Sequence, residues 1–118
     1  MPNPVVHWEI AAKDAQKQLD FYSTLFEWKI NATVPLRYAM VQTGEPGING
    51  GIFAVGESGR PPITFYVQVD NLEECLAKVS QLGGKVMVQP TPVPGIGSMA
   101  MFQDPEGNAI GLFRYGYP

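Results

Sequence analysis

Displaced by 57 residues, this sequence falls into step with itself. Leu19 lands on Leu76, Leu25 on Leu82, Val6 on Ile63 and Trp8 on Phe65. The agreement is one of pattern more than of identity, so it points to a repeated architecture. Repeats constrain a fold before any single motif does. With 118 residues the chain has the length of one domain, here 1–118, in which module 1 spans 1–57, module 2 spans 62–118 and a linker lies at about 56–62. That linker, Gly56-Glu57-Ser58-Gly59-Arg60-Pro61-Pro62, is too rich in glycine and proline to continue a strand or helix.

Each module opens with a period of two. From Val5 to Ala11, His7 and Glu9 share one face and Trp8 and Ile10 the other; from Ile63 to Val69, Thr64, Tyr66 and Gln68 oppose Phe65, Val67 and Val69. One polar and one apolar face describe a half-buried strand. A helix follows in both. Asp14 is placed to cap the first, whose Ala15, Leu19, Tyr22 and Phe26 recur at helical spacing. Asn71 with Glu74 has the spacing of a capping box for the second, with Leu72, Leu76, Val79 and Leu82 as its buried stripe and Gly83-Gly84 as its end. Three short strands complete each module, near 28–34, 38–43 and 51–55, then near 86–89, 98–103 and 109–114. Pro46-Gly47-Ile48-Asn49-Gly50 and Asp104-Pro105-Glu106-Gly107-Asn108 read as tight turns. Pro90 to Gly97 reads as a loop over a pocket.

The predicted fold is therefore α+β. Two βαβββ modules, their curved sheets side by side, make a trough lined by the polar strand faces, where a small-molecule site is expected.

Composition narrows the partners. The net charge is −3 with only eight lysines and arginines, so the basic stripe of a nucleic-acid binder is missing. No apolar run reaches the roughly 20 residues of a membrane span. The first residues lack the basic and apolar stretches of a signal peptide, which makes the cytoplasm the expected location. Cys75 is the only cysteine, so no internal disulfide is available and its thiol reads as a small apolar filler. Walker loops, nucleotide-binding glycine fingerprints, nucleophile elbows and zincin motifs are all absent from the sequence.

The order of motifs resembles the glyoxalase/bleomycin-resistance/extradiol-dioxygenase (vicinal oxygen chelate) superfamily. His7-Trp8-Glu9-Ile10, Leu19-Asp20-Phe21-Tyr22 and Phe26-Glu27-Trp28 are similar to its first module, and Asn49-Gly50-Gly51-Ile52 to its fourth strand. Leu82-Gly83-Gly84-Lys85-Val86 and Phe102-Gln103-Asp104-Pro105-Glu106-Gly107-Asn108 are similar to its second module. The likeness covers nearly the whole chain. It implies a curved eight-stranded mixed sheet around a pocket, a homodimer and a site in the trough. It also implies four positions for a divalent ion, which fall on His7, Gly51, Thr64 and Gly111. Only His7 is a usable ligand. A catalytic divalent site needs about three protein ligands, so no metal or other cofactor is expected, and the metal chemistry of the family does not transfer.

His7 and Glu9 are the candidate catalytic pair, since a histidine next to a carboxylate on one strand face can move a proton near neutral pH. Read without chemistry, His7 is a remnant of a lost ion site. Tyr38, Gln42, Thr64, Tyr66 and Gln68 are candidate polar pocket groups, joined on the same faces by Gly51, Phe53, Gly111 and Phe113. The two glycines would leave space for an aromatic ligand. Met87, Met99 and Met101 read as core filling, and Trp8 and Trp28 as core. Arg37, Arg60 and Arg114 are cations available to an anion. Three functions stay open: metal-free binding of a small hydrophobic or aromatic molecule; an enzyme, either lyase- or isomerase-like using His7 and Glu9 or of the metal-dependent lactoylglutathione-lyase or dioxygenase type that the resemblance implies; and a non-catalytic interaction module. Fold alone does not choose among them.

Overall fold

The computed structural model describes residues 2–32, 38–54 and 61–116. Arg37, Arg60 and residues 56–60 of the expected linker lie outside the described residues. The elements run β1 (Val5–Ala12), α1 (Ala15–Phe26), β2 (Lys29–Ala32), β3 (Tyr38–Gln42), β4 (Gly50–Ala54), β5 (Ile63–Gln68), α2 (Leu72–Gln81), β6 (Lys85–Val93), β7 (Gly97–Gln103) and β8 (Ala109–Tyr115). This is βαβββ twice, an α+β fold of eight strands in mixed pairing with two helices.

Two compact units make up the chain: His7–Thr64, called the first half here, and Met1–Val6 with Phe65–Pro118, the second half. In the first half the strand order is β2-β3-β4-β1. β1 and β4 are parallel, with Glu9 opposite Gly51, while β3 is antiparallel to both β2 and β4. Helix α1 makes the crossover that a parallel pair requires. The Asp14 carboxylate accepts from Lys17 N at 3.1 Å and starts it. It ends at Glu27, whose φ of 57° lies in the left-handed region, at a cost of roughly 1–2 kcal/mol for a residue with a Cβ. Leu19 of α1 buries itself against Ala12, Ala39, Val41 and Ile52, with Trp8, Ile10, Tyr22 and Trp28 packed around them. Phe26, expected on the buried stripe, is exposed, although its ring centroid stands 4.9 Å from that of Trp28.

In the second half the order is β5-β8-β7-β6, with β5 and β8 parallel and the rest antiparallel. Asn71 caps α2 by accepting from Glu74 N at 2.9 Å. Leu72 and Leu76 enter a core with Val69, Ala100 and Leu112. Leu82 does not: it is 78% exposed, because it is the C-cap and the helical period that placed it inward has already ended. Asp104 organises the turn between β7 and β8. Its Oδ1 accepts from the amides of Glu106 and Asn108 and its Oδ2 from Asn108 Nδ2, each at 2.9 Å. The Asn108 bonds hold the Asp104 carboxyl below its ordinary pKa.

Three further expectations need correction. Pro90 to Gly97 is not a loop, since β6 continues to Val93 and pairs Thr91 with Met99 and Val93 with Gly97. The ladder shifts register between Val88 and Thr91, and Pro90 sits in that irregularity, on an edge strand where a missing N–H is tolerated. On β5 the faces alternate as expected, with Val67 packed on the α2 core and Tyr66 in a separate cluster, but the exposure differs. Thr64 and Tyr66 are buried and Phe65 is exposed. Of the three methionines read as core, Met99 and Met101 are buried, but Met87 is exposed.

Leu76→Ala should therefore destabilise the protein by about 2–5 kcal/mol, while Leu82→Ala should stay within about 0.5 kcal/mol of the parent. Urea unfolding of the two variants checks this.

Candidate functional site

The side chains of interest in the first half sit on the sheet face opposite α1. Alternation sends Trp8, Ile10, Ala39, Val41 and Ile52 toward the helix. The residues between them, His7 and Glu9 on β1, Tyr38 and Met40 on β3, and Gly51 and Phe53 on β4, therefore take the other face. The register places Met40, Gly51 and Glu9 in one row across β3, β4 and β1, and Tyr38, Phe53 and Ala11 in the next.

Tyr38 is the centre of this face. A Cβ built on Gly51 would overlap the ring and hydroxyl of Tyr38, so the missing side chain is the room the phenol occupies. The ring lies near-parallel to Phe53, with centroids 6.0 Å apart and 14° between planes, and to His7, at 6.3 Å and 15°. Its hydroxyl donates to Glu9 Oε2 at 3.0 Å and stands 2.6 Å from His7 Nε2. Glu9 is 8% exposed, so this carboxyl is removed from water, where hydrogen bonds are costly to leave unmade. Burial lowers the pKa of His7, and the nearby Glu9 charge offsets part of that. The imidazole is thus neutral at pH 7 and able to accept a proton.

His7, Glu9, Tyr38, Gly51 and Phe53 come together on this face. Thr64, on β5 in the same half, is 5% exposed. Gln42 does not join them. It is exposed at the end of β3, opposite Lys29, and four residues of strand put it roughly 13 Å along from Tyr38.

The second half treats its glycine the same way, with a different tyrosine. Tyr66 on β5 is paired with Gly111 on β8, and a Cβ on Gly111 would overlap the Tyr66 ring. Tyr66 is 3% exposed and packs with Met99, Met101, Val88 and Phe113. The Tyr66 and Phe113 rings meet edge to face at 6.5 Å and 79°. The space expected above Gly51 and Gly111 for an aromatic ligand is therefore filled by the chain's own tyrosines. Gln68, at the end of β5, is half-buried, and its backbone N–H donates to Pro4 O at 2.9 Å. The Arg114 Nε donates to Asp70 O at 2.9 Å.

At the four positions implied for a divalent ion, the donors are one imidazole, one threonine hydroxyl and two glycines that each lie beneath a tyrosine ring. Among the described residues, no three of His, Cys, Asp or Glu gather in one place. No described helix is long and apolar enough to cross a membrane.

A family model described as Glyoxalase/Bleomycin resistance protein/Dioxygenase superfamily matches residues 5–112. A glyoxylase-like domain-containing protein of Didymella fabae is 31% identical over 108 residues, covering 85% of this chain and 84% of that one. The anthracycline biosynthesis protein DnrV of Streptomyces peucetius is 28% identical, covering 98% of this chain but only 48% of its own length, so the chain spans about half of that relative. Among solved structures, a protein of Bacillus halodurans superposes with a TM-score of 0.74 at 16% identity, covering 98% of this chain and 96% of that one.

Two outcomes are expected. Gly51→Ala should destabilise by about 1–3 kcal/mol, and by less in a Tyr38→Ala background, because the added methyl then meets no ring; a double-mutant cycle measures the difference. The lowered pKa of His7 means that the unfolded chain takes up a proton near pH 6.5 while the folded chain still resists it. Stability is then complete above that pH and falls as the pH drops below it. Thermal melts across this range should show the fall, and His7→Gln should flatten it.

Proposed function

This chain belongs to the glyoxalase/bleomycin resistance protein/dioxygenase superfamily, and from that premise we propose that it binds a small aromatic or hydrophobic molecule without a metal ion. The binding surface is the sheet face of the first half that carries His7, Tyr38 and Phe53. One observation carries the reading: the Tyr38 ring stands over Gly51, where the family's ion sites take a ligand, and lies near-parallel to Phe53 and His7. Parallel rings offer a flat π surface to a planar molecule. The donors around them do not fit a divalent ion, because glycine has no side-chain donor and one imidazole does not hold such an ion against water. A relative named for anthracycline biosynthesis supports the choice of ligand class, since anthracyclines contain fused aromatic rings.

A second reading has its own support. The contacts of Tyr38 with His7 at 2.6 Å and Glu9 at 3.0 Å join a neutral imidazole to a carboxylate. Such a chain supports a lyase- or isomerase-like reading, in which positioned groups move a proton.

One experiment addresses both. Isothermal titration with naphthoquinone and anthraquinone probes in EDTA should give saturable binding. Phe53→Ala should weaken it about tenfold through the lost ring contact. Binding abolished by EDTA and restored by a divalent ion would overturn the metal-free reading. Mass spectrometry of the recovered probe separates the two readings. Unchanged probe favours binding alone, and conversion that persists in EDTA but disappears in His7→Gln favours proton transfer.

A further inference from the structure

We infer that Glu9, acting through the hydroxyl of Tyr38, decides which nitrogen of His7 carries the proton, so that Tyr38 is the positioning residue of this imidazole. The inference deepens the proton-transfer reading of the same face. It concerns the protein without ligand.

The argument is one of hydrogen-bond supply. An ionised carboxylate only accepts, and a phenol has a single hydrogen to give. Tyr38 gives it to Glu9 Oε2 at 3.0 Å. The phenol oxygen then presents lone pairs to His7 Nε2, which lies 2.6 Å away. Two facing lone pairs at that distance would repel, so Nε2 bears a hydrogen and donates it to Tyr38. The chain runs in one direction, from Nε2–H to the phenol oxygen and from the phenol O–H to the carboxylate. In the neutral ring the lone pair then belongs to Nδ1.

Packing holds the three groups in place, while the accepting carboxylate sets the direction. The Tyr38 ring is seated over Gly51 and stacked on Phe53, so its hydroxyl stays near both partners. Glu9 is held in the same row by the register of Glu9 with Gly51. In that tautomer a further proton adds to the nitrogen that bears the lone pair, Nδ1, rather than to Nε2.

His7 is the only histidine of the chain, so tag-free protein labelled with ¹⁵N-histidine gives a single set of ring signals. Two-bond ¹H–¹⁵N spectra at a pH where the imidazole is neutral read the tautomer directly. The wild-type protein should show the Nε2–H form. Glu9→Leu removes the acceptor and lets the phenol turn its hydrogen to Nε2, so the ratio of Nδ1–H to Nε2–H should rise at least about tenfold. Tyr38→Phe retains the ring over Gly51 and removes only the acceptor of Nε2–H, whose exchange with water should quicken at least about tenfold. An Nδ1–H form in the wild type, or a Glu9→Leu ratio equal to that of the wild type, would overturn the inference. If Glu9→Leu does not fold, the isosteric Tyr38→Phe decides, and an unchanged exchange rate counts against it. A protein that binds no quinone probe yet shows the Nε2–H form loses the aromatic-binding reading and keeps this one.

Discussion

Absent side chains organise both halves of this protein. Parallel pairing of the first and last strand of each βαβββ unit brings Gly51 level with Glu9 and Gly111 level with Tyr66. Each glycine leaves a volume that close packing does not allow to stand empty. A tyrosine fills it in both cases, from different directions. Tyr38 comes from the neighbouring antiparallel strand and Tyr66 from the parallel one. The remainder of each face is arranged around that ring.

The two solutions give different chemistry. Tyr66 closes a methionine-rich apolar cluster and is almost fully buried. That half uses its glycine for packing. Tyr38 brings its hydroxyl to the strand that carries His7 and Glu9. The same device there creates a polar chain flanked by aromatic rings. A repeated architecture has thus been used once for stability and once to position titratable groups, as befits a fold whose function depends on its site.

Glycine offers no side-chain donor at Gly51 and Gly111, and a phenol ring takes up the volume beside each. The imidazole is the group that remains, with burial keeping it neutral and Glu9 close by. Hydrogen bonding and ring stacking are what such a face has to offer a bound molecule.

The strand alternation, both N-caps and the Asp104 turn were readable from residue order, because each depends on neighbours within a few positions, and the α+β class followed from the recurrence of that local pattern 57 residues on. The sharing of one face by His7 and Glu9 was equally plain, since a strand has period two. The extension of β6 through two prolines was not, because only a paired β7 makes an irregular edge strand worthwhile. Nor was the exposure of Leu82, one position beyond the end of α2, or the burial of Thr64 and Tyr66 on a face that looked polar. Above all, Tyr38 could be listed as a pocket residue but not seated over Gly51 between His7 and Glu9. That contact joins three strands, and nothing local to residue 38 encodes which glycine will lie beneath its ring. Periodicity is a property of the chain, whereas filling a void is a property of the packed sheet, and here the packed sheet set the character of the site.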